Sequence, residues 1–139
     1  MGAGFEHALR NELAEIPRLL EAVEDFCARE GVPPAMVFSV TLALDEIVTN
    51  VVSYGFDDGD AHVIRVSLSL GDGLLTTEVE DDGRPFDPLQ RPDPDVSANL
   101  DDRTVGGLGI FLVKRMMDDV RYVRAEGRNH LVMVKHLAP

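Results

Sequence analysis

Two stretches of alternating polarity, each folded back on itself at a glycine turn, constrain this chain more than anything else in it. Residues 62–70 alternate from Ile64 onward, Gly71-Asp72-Gly73 supplies a turn, and residues 74–80 alternate again. Residues 120–126 and 131–137 repeat the arrangement around Glu126-Gly127-Arg128-Asn129. A period of two sends every second side chain to the same face, so each stretch reads as an antiparallel β-hairpin with one face buried. What covers those faces is helical. Over residues 11–30, Leu13, Ile16, Leu20, Val23 and Phe26 recur at helical spacing, with Pro17 marking the first turn. After the breakers Gly31, Pro33 and Pro34, a second helix runs from Ala35 to Tyr54 and ends at Gly55 as its C-cap. Gly106-Gly107-Leu108-Gly109 opens a third, with Ile110, Leu112, Val113 and Met116 or Met117 facing inward. Residues 4–10 make a short first strand. The order β, α, α, β, β, loop, α, β, β predicts an α+β, two-layer α/β sandwich.

The length of 139 residues suits one domain over 1–139, and a hydrophobic content of 45% supports a core. The net charge of -12 repels nucleic acid and anionic lipid. It does not oppose a phosphate ligand, which backbone N–H groups and a metal ion hold locally. The one cysteine, Cys27, excludes an intrachain disulfide and reads as a small buried apolar residue. No apolar run approaches the length of a membrane span and no signal-peptide pattern opens the chain, so a cytoplasmic protein is expected.

Three constellations carry chemistry. On the second helix, Val37, Val40, Leu44, Ile47, Val48 and Val51 form an apolar face, and Ser39, Ala43, Glu46, Asn50 and Ser53 form a separate small and polar stripe. Within it Glu46 and Asn50 stand one turn apart, about 6 Å along the axis, a carboxylate beside an amide that suits a metal with its waters or a proton transfer. The second is Val79-Glu80-Asp81-Asp82-Gly83-Arg84-Pro85-Phe86-Asp87-Pro88, where an alternating strand runs into acid, glycine and proline. Asp81 at the strand end would point into a pocket, and Gly83 would let the backbone approach a flat ligand. The third is Thr104-Val105-Gly106-Gly107-Leu108-Gly109, whose helix N-terminus offers N–H donors to a phosphate. It is neither a Walker A loop nor a good dinucleotide fingerprint, because no Gly-Lys-Ser/Thr follows and no βαβ unit surrounds it. Each alone matches a bland feature: a solvated helix face, a strand-ending turn, a glycine-rich helix start.

Their order and spacing together resemble the N-box, G1 and G2 series of the GHKL (Bergerat-fold) ATPases, over about Ala35 to Leu137. Within that superfamily, Leu42-Ala-Leu-Asp-Glu-Ile-Val-Thr-Asn50, Asp81-x-Gly83-x-Pro85-Phe86-Asp87-Pro88 and Gly106-Gly-Leu-Gly-Ile-Phe-Leu-Val113 look like the RsbW-type anti-sigma factor kinases. The resemblance implies a mixed, mostly antiparallel sheet with helices on one face. It implies ATP or ADP with Mg²⁺ as cofactors, Asn50 as the metal-supporting residue and Glu46 as general base. Asp81 would accept from the adenine amino group and Gly83 would shape its pocket. Arg103, Thr104, Gly106, Gly107, Leu108 and Gly109 would attend the phosphates, and residues 84–105, with four prolines and five aspartates and no periodicity, would be the ATP lid. Asn129 stands near the place where many relatives have a Thr beside the adenine aspartate.

The superfamily also holds histidine kinases and ATPase machines. His7, His62, His130 and His136 are followed by Ala, Val, Leu and Leu, not by the acid a phosphoacceptor helix carries. The expected activity is therefore that of a protein serine/threonine kinase acting as an anti-sigma factor. Its expected partners are a STAS-type anti-sigma factor antagonist and a sigma factor, with homodimerisation as a family expectation and no direct contact with nucleic acid or membrane. The alternative is a non-catalytic ATP-binding module that sequesters a partner.

Overall fold

A computed structural model describes residues 2–87, 89 and 105–137. Strand β1 (Ala3–Arg10) is followed by a short 3-10 turn (Leu13–Glu15), helix α1 (Ile16–Arg29) and helix α2 (Pro34–Tyr54). Then come β2 (Val63–Gly71), β3 (Leu74–Asp81), α3 (Val105–Met116), β4 (Asp119–Ala125) and β5 (Arg128–His136). The five strands form one sheet in the order β1-β2-β3-β5-β4. All four pairings are antiparallel, so the mixed sheet of the expectation is here a purely antiparallel one.

The hairpins close as tightly as their sequences allow. Asp72 and Gly73 have φ of 54° and 74°, and Glu126 and Gly127 have φ of 53° and 76°. Positive φ at both central residues is the two-residue turn whose twist matches that of the flanking strands. The second turn is thus shorter than the four residues expected. Arg128 and Asn129 belong to β5, where Asn129 stands opposite Asp81 of β3 and Arg124 of β4.

Alternate residues of the strands, among them Ile64, Val66, Leu68, Leu75, Val79, Leu131 and Met133, form the core with one face of each helix. Helix α1 contributes Ile16, Leu19, Val23, Phe26 and Cys27, with Pro17 in its first turn as the sequence suggests. Burial raises the Cys27 thiol pKa, which favours the inert thiol. Helix α2 contributes Val40, Ala43, Leu44, Ile47 and Val48. Fully burying each of the larger aliphatic side chains contributes about 1.5–3 kcal/mol. Two residues assigned to apolar faces lie outside. Leu13 is exposed because the 3-10 turn breaks helical phase before α1 begins, and Leu112 projects away from the buried line of Ile110, Val113 and Met117.

Helix α2 also corrects the reading of apolar runs. Its 21 residues, at a mean hydropathy of 1.6, are long and apolar enough to cross a membrane. Here the helix packs into the sandwich core, and its polar stripe carries Glu46 and Asn50.

Candidate functional site

Where the C-terminal half of α2 meets the ends of β3 and β5, a narrow cleft, partly open to solvent, is walled by Ile47, Val51, Val79, Ile110 and Leu131. Its polar lining comes from Asn50, Asp81, Arg84, Tyr122 and Asn129. A mostly apolar cleft with a few convergent polar groups is the usual form of a small-molecule site.

At one end, Asp81 is 3% exposed. Its Oδ1 accepts from the Gly83 N–H at 2.8 Å and from Asn129 Nδ2 at 3.0 Å. Asn129 Nδ2 also donates to the Arg84 carbonyl at 2.9 Å, while Asn129 Oδ1 accepts from the Tyr122 hydroxyl and from Arg124 Nη1 at 3.2 Å. Arg124 Nη1 donates in addition to the Gly83 carbonyl at 2.7 Å. The chain leaving β3 is pinned from the other side too. The Arg84 N–H donates to the Gly55 carbonyl at 2.9 Å and its Nε to the Tyr54 carbonyl at 2.7 Å. These bonds occupy carbonyls that a helix C-terminus leaves without partners, so Arg84 completes the cap that Gly55 begins. Gly83 has a firmer reason to be glycine than the approach of a ligand. A Cβ there would stand 2.5 Å from the Gly55 carbonyl oxygen and 2.9 Å from Asp81 Oδ1.

At the other end, Asn50 is buried, and its Nδ2 donates to the Glu46 carbonyl at 2.8 Å. Its Oδ1 makes no hydrogen bond to any described residue. An amide oxygen free in this way is a suitable ligand for a hard cation. The Glu46 side chain lies against α3: a Cβ on Gly109 would be 1.9 Å from Glu46 Oε2 and 2.6 Å from its Cδ. Gly109, assigned from sequence to the phosphates, thus makes room for the carboxylate. Burial, and secondarily the neighbouring Asp45, raise the Glu46 pKa, which makes the carboxylate a better proton acceptor.

Gly106, Gly107 and Leu108 lie in the first turn of α3, where backbone N–H groups have no intrahelical partner. Arg103, Thr104 and most of the lid expected over 84–105 lie outside the described residues. The residues of this end that the sequence did not single out are Tyr122 and Arg84, which line the cleft, and Arg124, which bonds to Asn129 and Gly83 beside it. Only the alternation of β4 hinted at two of them, since Tyr122 and Arg124 share the inward parity of Val120. Among the described residues, one group has metal-ligand spacing: Glu78, Glu80 and His130, with ligand atoms within 4.8 Å of one another. It occupies the opposite face of the sheet, since Glu80 alternates with the inward Val79 and Asp81, and so is separate from Asn50.

Comparison with known proteins agrees with this geometry. The histidine kinase-like ATPase domain family matches residues 9–135. The serine/threonine-protein kinase BtrW of Bordetella bronchiseptica is 32% identical over 84% of this chain and 82% of its own length. The serine-protein kinase RsbW of Listeria monocytogenes is 28% identical over 84% of this chain and 76% of its own. An anti-sigma F factor of Clostridium botulinum is 25% identical over 70% of this chain and 68% of its own. Among solved structures, the RsbU and RsbW domains of a Mycobacterium tuberculosis protein superpose with a TM-score of 0.72 at 15% identity, covering 97% of this chain and 32% of that one. That likeness carries the fold, and this chain spans about a third of the mycobacterial one. A match over nearly all the chain, with a relative this similar along most of its length, places the protein in the histidine kinase-like ATPase domain family, beside the RsbW and BtrW protein kinases.

Proposed function

We propose that the protein is an ATP-dependent protein serine/threonine kinase that acts as an anti-sigma factor, phosphorylating a STAS-type antagonist in a partner-switching system. Membership of an ATPase family brings ATP binding with it, and relatives named as serine-protein kinases and as an anti-sigma factor support the rest. The observation that carries the reading is that Asn50 and Asp81, from separate motifs, line one cleft, and that the Glu46 carboxylate, one helical turn before Asn50, lies against Gly109, next in the chain to the cleft residue Ile110.

In this reading Asp81 receives the adenine amino group and the first turn of α3 receives the phosphates. Asn50, whose Oδ1 makes no hydrogen bond to a described residue, would help hold Mg²⁺, which would supply neutralisation of the phosphate charge. The antagonist's serine Oγ attacks the γ-phosphorus, the bond to the β–γ bridging oxygen breaks, and ADP leaves. Glu46 takes the proton that Oγ releases, a task its raised pKa suits. Arg103 and Thr104 are proposed phosphate contacts and residues 84–105 the lid, on the resemblance of the motifs alone. A cytoplasmic homodimer belongs to the same reading. The net charge of -12 supports action on protein partners in place of direct contact with nucleic acid or membrane.

Incubation of the protein with labelled ATP, Mg²⁺ and a STAS antagonist tests this. Phosphoserine on the antagonist is the expected result. An antagonist that binds in an ATP-dependent way and acquires no phosphate would replace the kinase by a sequestering module.

A further inference from the structure

We propose that Asn129 is a positioning residue for base recognition. It holds the Asp81 carboxylate in one orientation across the β3–β5 pair, so that the oxygen left free by the protein faces the amino group of a bound adenine. The inference rests on the nucleotide reading above and extends it to a residue whose own contacts to a base are closed off.

A carboxamide has two N–H donors and an oxygen with two lone pairs. Asn129 uses all of them within the protein. Its donors go to Asp81 Oδ1 at 3.0 Å and the Arg84 carbonyl at 2.9 Å, and its oxygen takes the Tyr122 hydroxyl and Arg124 Nη1 at 3.2 Å. Two acceptors stand on one side of the amide and two donors on the other, so turning it over would oppose like groups at all four contacts. Nothing remains with which Asn129 can read a base directly, and its influence passes through Asp81.

Asp81 Oδ1 is fully engaged by Asn129 and by the Gly83 N–H at 2.8 Å, whereas Oδ2 makes no hydrogen bond to a described residue. Both side chains are nearly closed to solvent, Asp81 at 3% and Asn129 at 6% exposed. With Oδ1 tied at two points, the carboxylate plane is set before any ligand arrives. The same bonds reach the chain beyond β3: the Tyr122 hydroxyl that donates to Asn129 accepts the Phe86 N–H at 3.3 Å, and Arg124 holds the Gly83 carbonyl at 2.7 Å.

The test is titration calorimetry of the full chain with ATP and with purine riboside triphosphate, which lacks the amino group. Wild type is expected to favour ATP on the order of tenfold, the scale of one buried hydrogen bond. Asn129→Ala is expected to bring that ratio close to one, weakening ATP while leaving purine riboside triphosphate nearly unchanged. Asn129→Asp keeps the shape and sets a carboxylate against Asp81. Its ATP affinity should fall at pH 8 and recover toward pH 5, where one proton shared by the two carboxylates restores the link. A wild-type ratio already near one, or variants that weaken both nucleotides equally and keep the wild-type ratio, would overturn the role assigned to Asn129, leaving it a structural residue. Wild type that binds neither nucleotide would overturn the nucleotide reading itself.

Discussion

The two ends of the cleft hold their polar groups in opposite ways. At the Asp81 end, Asn129, Tyr122, Arg124 and Arg84 bond to one another, to Asp81 Oδ1 and to the backbone of residues 54, 55, 83 and 86. At the Glu46 end, the carboxylate has no hydrogen bond to a described residue and Asn50 Oδ1 is equally free. Donors and acceptors tied down beforehand select a ligand by shape and by the one contact left open. Groups left unpaired keep the capacity to ligate a cation or accept a proton. The first arrangement suits recognition and the second suits chemistry, so substitutions at the two ends should fail in different ways.

The largest expected effect separates them outright. Glu46→Gln should lower phosphoryl transfer by about 10²–10⁴-fold, the range for losing a general base, while calorimetric affinity for ATP-Mg²⁺ stays near wild type. Asp81→Asn should lose nucleotide affinity instead, and with it a preference for ATP over GTP of roughly 1–3 kcal/mol, since guanine presents a carbonyl where adenine presents its amino group. If Glu46→Gln weakened ATP binding as much as Asp81→Asn, the contrast between the ends would be gone.

A smaller effect sharpens the chemical end. Gly109→Ala would put a methyl group 1.9 Å from Glu46 Oε2, so the carboxylate has to move. Alanine is the better helix former by about 1 kcal/mol, which offsets part of the strain. A misplaced base still costs about 10²-fold in single-turnover transfer, with ATP affinity kept within a few fold. Transfer at the wild-type rate would mean that the position of Glu46 against α3 is immaterial to the reaction.

The smallest effect lies behind the recognition end. His62 stacks on Phe56 and bridges Asp58, at 2.8 Å from Nε2, and Asp82, at 3.0 Å from Nδ1. Its pKa is raised above the ordinary histidine value, chiefly by the hydrogen bond to Asp58, against a smaller opposing effect of burial. The folded state therefore holds the proton more tightly than the unfolded chain. The stabilisation is fully present below about pH 6.5 and is lost as pH rises through the raised folded value. The Tm difference between wild type and His62→Gln should accordingly be widest below about pH 6.5 and close as pH rises through the raised folded value, with nucleotide affinity unaffected. A gap that widened with pH would reverse this assignment.

Much of this was legible in the sequence because it depends on local pattern. Alternation gave the strands, the i, i+4 step gave Glu46 and Asn50, and the strand end gave Asp81. What escaped depends on contacts between distant segments. Glu126-Gly127-Arg128-Asn129 looks like a four-residue turn because it is polar throughout and Gly127 and Asn129 are turn-favouring types. Two residues with positive φ suffice, and Asn129 falls into β5. Counting back by twos from the inward Leu131 reaches Asn129, so parity carried the signal that residue preference hid. The tie from Arg84 to the end of α2, and the fit of Glu46 against Gly109, follow from how helices and strands dock, which no local spacing encodes.

The strand order has a consequence for how the protein is made. β5 follows every other described strand in the chain, yet it lies inside the sheet between β3 and β4, and β5 is the neighbour that joins β4 to the rest. A ribosome that has released Asp81 must still produce α3, β4 and the second turn before Asn129 exists to face it. Shorter nascent chains contain the residue that would read the base but not the bonds that aim it, and non-local pairing of this kind is slow to form. On the proposed nucleotide reading, a nucleotide would therefore find an oriented pocket to stabilise only in chains in which β5 has entered the sheet.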